Sequence, residues 1–144
     1  MNEEIFDNVP FIALIHNISK NQLKYLNSKL GDLGIDHDIR FILFIHDNPD
    51  CSQDDLASLL AQSKGNIAKV LKKLEDKGYI EREINPENRR KYMLKTTSKA
   101  NEIVPKVRQI SKDWEMKVGL TEADENLKRR IKEISINSMN IIGK

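Results

Sequence analysis

Residues 51–78, "CSQDDLASLLAQSKGNIAKVLKKLEDKG", constrain the fold more than any other stretch, because the start and stop of two short helices are written into them. Ser52 followed by Asp55 forms a capping box: the hydroxyl accepts from the N–H three residues on, and the carboxylate accepts from the N–H of the cap. Cys51 and Leu56 are placed to close the same end as a hydrophobic staple. After a tight connection around Gln62, Ser63 caps a second helix. In it Ile67, Val70, Leu71 and Leu74 make a one-sided apolar stripe, and Gly78 supplies the stop. Two helices joined by so short a turn predict a helix-turn-helix. Going round the second helix at about 100° per residue, Gly65, Ala68, Lys69 and Lys72 fall opposite the stripe, flanked by Asn66 and Lys73. That outer face is small and basic.

The next stretch predicts two short strands, Tyr79 to Ile84 and Lys91 to Lys95, rich in alternating or β-favouring residues. Between them "NPENRR" carries the turn formers Asn85, Pro86 and Asn88. Arg89 and Arg90 therefore sit at a hairpin tip. A helix-turn-helix followed by a hairpin is a winged helix, and such a tip can lie along the minor groove beside the recognition helix. A narrow groove concentrates negative potential and favours inserted arginine.

Helical patterns flank this unit. From Pro10 to about Leu30, apolar residues at Phe11, Leu14, Ile15, Ile18, Leu26 and Leu30 keep a mostly helical spacing, with Pro10 suited to a first helical position. Gly31 and Gly34 bracket its end. Asp36 is placed to cap a second helix with Ile39, Ile42, Leu43 and His46 on one face, ending at Asn48-Pro49. Thr97 opens a long helix to about Val118, with Ile103, Val107, Ile110, Trp114 and Val118 on a stripe and Pro105 removing one backbone donor and expected to kink it. Thr121 with Asp124 makes another capping box before a last helix holding Leu127, Ile131, Ile134, Met139 and Ile142. The first and last helices carry more apolar stripe than a central lobe of about 60 residues can cover, so a second subunit is expected over them.

Composition narrows the class. A chain of 144 residues with 39% hydrophobic and 32% charged residues is long enough for one core and too short for two enzyme-sized domains. No apolar run reaches the roughly 18 residues of a membrane span, and Met1-Asn2-Glu3-Glu4 lacks the basic and apolar regions of a signal peptide, so no membrane partner and a cytoplasmic location are expected. The lone Cys51 agrees with a reducing compartment. Residues 1–59 hold 4 Lys and Arg against 10 Asp and Glu, and residues 60–100 hold 11 against 5. The basic middle suits a polyanion. No nucleophile–base pair, glycine-rich phosphate loop or metal-ligand cluster stands out, so neither an enzyme nor a cofactor is expected.

Taken together and in order, "QDDLASLLAQSKGNIAKVLKKLEDKGYIERE", the wing-like "NPENRR" and Thr97 resemble the MarR family, the multiple-antibiotic-resistance type of winged-helix transcriptional regulators. The resemblance covers nearly the whole chain. It implies a mainly α protein with a small β-hairpin wing: one MarR-like domain over residues 1–144, a DNA-binding lobe at 36–97, and dimerisation helices at 8–31 and 98–143. It implies a homodimer on double-stranded promoter DNA, acting as a ligand-responsive repressor on a pseudo-palindromic operator. By carry-over, Ser63, Lys64, Gly65, Asn66, Ala68, Lys69, Lys72 and Lys73 face DNA, joined by Asn88, Arg89, Arg90 and Lys91 of the wing, with Arg90 at the minor-groove position. Asn66 can pair bidentately with adenine, whereas the lysines suit phosphates. The family usually has aspartates at Asn85 and Asn88, the second often pinning the wing arginine, and more often arginine at Lys69. Asparagine offers only a neutral hydrogen bond, and lysine keeps the charge without the fork.

The family often binds lipophilic anions such as phenolic acids between the dimer arm and the DNA-binding lobe, where Trp114, Tyr25, Phe41, Phe44 and His16 are the candidates here, against the plainer reading of core aromatics. Two rival readings use the same residues. One is a winged helix serving as a protein-interaction module for an acidic partner. The other is a metal- or redox-responsive regulator built on Cys51 or on His16, His37 and His46. Paired arginines on a turn beside a lysine-faced helix fit two adjacent grooves better than a flat protein surface. A staple role for Cys51 and capping or solvated roles for the dispersed histidines are the plainer readings.

Overall fold

The computed structural model describes residues 3–31 and 38–142. A short 3-10 turn, Glu3–Asn8, leads into α1 (Phe11–Leu30). There follow α2 (Ile39–Asp47), α3 (Gln53–Leu60), α4 (Lys64–Asp76), a hairpin of β1 (Ile80–Ile84) and β2 (Tyr92–Thr96), α5 (Ser98–Lys117) and, after the 3-10 turn Glu122–Asp124, α6 (Glu125–Ile142). This is the mainly helical winged helix-turn-helix that the residue pattern implied, with α1 packed on α5.

The helix-turn-helix forms because its ends are satisfied locally. The Ser52 hydroxyl accepts from Asp55 N–H at 3.2 Å, and the Asp55 carboxylate accepts from Ser52 N–H at 2.8 Å. At the other end of α3, Ala61 takes the left-handed conformation at φ +51°, and Gln62 N–H closes back on the Ala57 carbonyl at 3.2 Å. Helices commonly stop this way, but with glycine at the left-handed position. At the end of α4 glycine is there: Gly78 has φ +79°, its N–H reaches the Glu75 carbonyl at 3.0 Å, and Tyr79 N–H reaches that of Leu74 at 2.9 Å. Both bonds of the Schellman motif are present.

Ile67, Leu71 and Leu74 of α4 are fully buried against Ile39, Ile42 and Ile45 of α2, Leu56 of α3, Ile80 and Leu94 of the wing, and Val104 and Val107 of α5. One side of α4 is therefore locked into the core and the other is free. The wing is antiparallel with Ile80 opposite Thr96 and Ile84 opposite Tyr92, so each strand lies one residue C-terminal of the sequence expectation at its start, and β2 also at its end. A third strand segment was not foreseen. Asp50 N–H donates to the Leu94 carbonyl and Leu94 N–H to that of Cys51, both at 3.0 Å, which stitches the wing to the start of α3. A bridge of one residue has no alternation to betray it.

The end of α4 is clasped to the start of α5. Thr97 caps α5 by accepting from Ala100 N–H at 3.3 Å while its hydroxyl donates to the Gly78 carbonyl at 2.6 Å. Thr97 N–H donates to the Tyr79 carbonyl at 3.1 Å, and Lys99 Nζ donates to that of Lys77 at 2.7 Å. From there α5 runs through Pro105 as one continuous helix.

Some details differ from expectation. Pro10 is the N-cap of α1, its carbonyl accepting from Ala13 and Leu14, so it precedes the first helical residue. The expected cap Asp36, with Gly34 and His37, lies outside the described residues. Val104 rather than Val118 belongs to the buried face of α5, and Val118 is exposed. The Thr121–Asp124 capping box is present but opens the 3-10 turn before α6. α6 itself, 18 residues long, buries none of its side chains. No helix of the described residues is long and apolar enough to cross a membrane.

Candidate nucleic-acid interface

With Ile67, Leu71 and Leu74 turned inward, geometry puts Lys64, Gly65, Asn66, Ala68, Lys69, Lys72 and Lys73 on one exposed surface beginning at the exposed cap Ser63. Ser63 Oγ accepts from Asn66 N–H at 3.2 Å. The Asn66 amide donates to the Gln62 side chain, which holds it across the first turn. A Cβ added at Gly65 would meet nothing in the chain, so the fold itself makes no demand for glycine there. Its smallness shapes the outer face alone.

Three of the four lysines on this surface are ion-paired. Lys64 lies 3.4 Å from Asp54, Lys72 lies 3.1 Å from Asp76, and Lys73 lies 2.9 Å from Asp38. Lys69 has no ion pair among the described residues. Asp38, which precedes α2, makes no side-chain cap bond there, and Lys73 receives its carboxylate instead.

The wing tip is two consecutive turns, each opened by asparagine. Asn88 N–H bonds to the Asn85 carbonyl at 3.2 Å, and Lys91 N–H bonds to the Asn88 carbonyl at 3.0 Å. In each turn the asparagine side chain accepts from the N–H two residues on, Asn85 from Glu87 at 2.9 Å and Asn88 from Arg90 at 3.2 Å. Asparagine forms such turns as readily as aspartate, so the backbone of the tip is set without the family's carboxylates. Arg89, Arg90 and Lys91 are exposed around it.

A residue pair that the sequence reading missed sets the wing against α4. Arg82 of β1 grips Glu75 of α4 with two bonds, Nε–H to Oε2 at 2.7 Å and an Nη2 donor to Oε1 at 3.1 Å, while its guanidinium carbon lies 5.4 Å from the centre of the Tyr92 ring. Hydrogen bonding from Arg82 holds the Glu75 carboxyl below the usual carboxylate range, and the same bond raises Arg82. The available signal was an acid in the last turn of a helix and an arginine seven residues on, in the adjoining strand.

The aromatic candidates are dispersed in depth. Phe41 is in the core, Phe44 packs against it, Tyr25 and Trp114 are half-buried, and His16 is exposed. Lys117 of α5 donates to the Tyr25 hydroxyl at 3.2 Å and lies 5.3 Å from its ring centre. Three described cavities are lined by other residues: one between α3 and the wing, one between α3 and the end of α6, and one around Leu120. Cys51 is buried, and burial, followed by the charge of Asp55, pushes its thiol up to about 11. Among the described residues no three His, Cys, Asp or Glu side chains gather as a metal site.

Comparisons with known proteins match this geometry. The model of the MarR family matches residues 39–92, the stretch from α2 to the start of β2. A crystal structure of MarR is 31% identical, covering 99% of this chain and 97% of its own, with a TM-score of 0.80. The HTH-type transcriptional regulator BilQ of Clostridioides difficile is 25% identical over 91% of both chains. A MarR family transcriptional regulator of Listeria monocytogenes, solved in complex with a 26mer DNA, is 21% identical over 92% of this chain and 91% of its own, with a TM-score of 0.80. Together with the paired capping signals, the exposed basic helix and the arginine-tipped wing, these likenesses show that the chain belongs to the MarR family of winged-helix, DNA-binding transcriptional regulators.

Proposed function

We propose that the protein acts as a homodimer on a pseudo-palindromic operator and represses transcription by occluding a promoter. The observation that carries this reading is the pairing of an exposed Lys64–Lys73 face with a basic wing fixed beside it by Glu75 and Arg82. Each α4 enters a major groove, and half-site centres lie roughly 10 base pairs apart. Asn66 reads a base and Ser63, Lys64, Lys69, Lys72 and Lys73 grip phosphates, while Gly65 and Ala68 keep the helix close to the groove floor. Arg90 enters the minor groove, with Asn88, Arg89 and Lys91 along its edge. Residues 36–97 form the reading lobe, and residues 8–31 with 98–143 form the dimer arm.

Apolar exposure supports the dimer. Ile5, Phe11, Ile12 and Ile18 near the start and Met116, Val118, Leu127, Ile136, Ile141 and Ile142 near the end are all exposed, and no side chain of α6 is fully buried within its own chain. Such a surface needs a cover. The effector is a small lipophilic or phenolic anion that changes the separation of the two recognition helices, since a pair at the wrong spacing cannot fill both half-sites. Lys117 beside Tyr25 on the arm supplies a cation for such an anion.

The test is binding to fragments of the protein's own upstream region against random duplex of equal length at about 150 mM salt, where non-specific Kd is typically 10⁻⁴–10⁻⁶ M. Nanomolar binding of one dimer per palindrome is expected. Weak and equal binding to every duplex in a genomic selection would transfer the basic face to an acidic protein partner. Arg90→Ala lowers affinity and flattens the salt dependence by about 0.9 per lost phosphate contact. Asn66→Ala relaxes preference at one base position by about 1–3 kcal/mol.

A further inference from the structure

Asp54 stands in the first turn of α3, where a carboxylate suits the positive end of the helix, but it makes no bond that the cap requires. The capping box at the start of α3 is completed by Ser52 and Asp55, and Asp54 adds no bond to it. Its one ion pair among the described residues, with Lys64, joins side chains 53% and 82% exposed, and exposed pairs contribute little to stability. Its position is nevertheless particular. Asp54 reaches Lys64 at the head of the recognition helix and lines, with Ser52, Gln53, Arg90, Lys91 and Tyr92, a cavity of about 200 Å³ between α3 and the wing tip. One carboxylate therefore stands among three cations assigned to DNA, at the junction of the surfaces proposed for the major and minor grooves. Asp76 and Asp38 hold Lys72 and Lys73 farther along α4 and line no part of this cavity.

We propose that Asp54 limits affinity for DNA in general, its carboxylate standing in the free protein where a DNA phosphate would bind between Lys64 and the wing. This rests on the DNA contacts proposed above. A duplex of any sequence must displace the carboxylate from Lys64 and bring its phosphates against a fixed negative charge. The cost falls on matched and random duplex alike: an operator still binds through its base contacts, while random duplex, which has none, is left weakly held. The carboxylate also replaces counterions around Lys64, so fewer are released when DNA arrives.

The experiment measures Kd for random duplex across a salt series with the full chain and five variants: Asp54→Asn, Lys64→Gln, the two combined, Arg90→Gln and, as a charge control outside this surface, Glu102→Gln. Asp54→Asn preserves shape, and circular dichroism with thermal unfolding confirms its fold. Expected is binding of random duplex about three- to ten-fold tighter than wild type, with a salt slope steeper by up to about 0.9. The gain shrinks when Lys64→Gln is added. Asp54→Asn matching Glu102→Gln in affinity and slope overturns the inference, because the effect is then only net charge. If Lys64→Gln and Arg90→Gln weaken binding while Asp54→Asn changes nothing, the inference falls and the DNA contacts stand. If none of the three alters binding, the assigned contacts fall and the inference with them.

Discussion

At the scale of single residues, the most informative positions are those where the chain departs from the cheapest choice. Ala61 holds a left-handed backbone that costs an L-residue roughly 1–2 kcal/mol and costs glycine little. Ala61→Gly is expected to raise unfolding free energy by about 1 kcal/mol in urea titrations, an effect partly offset by glycine's greater freedom when unfolded. Cys51 shows the opposite case, a reactive group made inert. With its thiol at about 11, native protein at pH 8 should react with iodoacetamide far more slowly than protein unfolded in guanidinium. Rapid native alkylation would revive the redox reading. Both capping boxes were legible in the sequence, since each depends on a spacing of three residues. Ala61's conformation was hidden because alanine signals a helix interior rather than a stop.

At the scale of elements, the recognition helix was readable in full because one amphipathic stripe and two termini define it. The wing was readable only in outline. Its strands are five residues long, too short for alternation to fix their ends, and the one-residue bridge at Cys51 depends on a partner more than forty residues away. The Glu75–Arg82 grip was equally hidden, because which of several nearby acids and bases meet is decided by the approach of β1 to α4. It is testable through pH. Glu75 titrates below its ordinary value in the folded state, so the pair contributes fully above the ordinary carboxylate range and its contribution is lost as pH falls through the lowered value. The stability difference between wild type and Glu75→Gln should therefore shrink between about pH 7 and about pH 3. A double-mutant cycle with Arg82→Gln should give a coupling of about 0.5–1 kcal/mol. Additive single effects would mean that the wing is held by its backbone bonds alone.

At the scale of the whole molecule, the flanking helices could be recognised from their apolar excess, but their packing could not be read from a single chain's pattern. α1 lies on α5 and contributes Leu23, Leu26 and Leu30 to buried positions, whereas α6 has no fully buried residue, only Ile131 and Ile134 being half-buried among its apolar side chains. Sedimentation velocity at micromolar concentration should report a dimer for the full chain. Ile136→Glu combined with Met139→Glu should weaken association at least ten-fold, with far-ultraviolet circular dichroism close to wild type, because both side chains are exposed in the single chain. An unchanged sedimentation coefficient would move the dimer interface off α6. The aromatic set belongs to this scale too: Phe41 was placed with the pocket candidates but is spent in the core, which a stripe on one helix cannot reveal before its neighbours are known.

The clasp at Thr97 bears on how a distant event could reach the DNA surface. With Thr97 and Lys99 both tied to the last turn of α4, there is no loose joint between the reading helix and α5. α5 spans 20 residues, about 30 Å. Under the function proposed above, it would serve as the arm of a crank whose short end carries α4. A tilt of roughly 10° at the far end displaces the near end by about 5 Å, close to one turn of helix. Loosening the clasp, as in Thr97→Val, should leave the reader folded yet deaf to what happens at the other end of the arm.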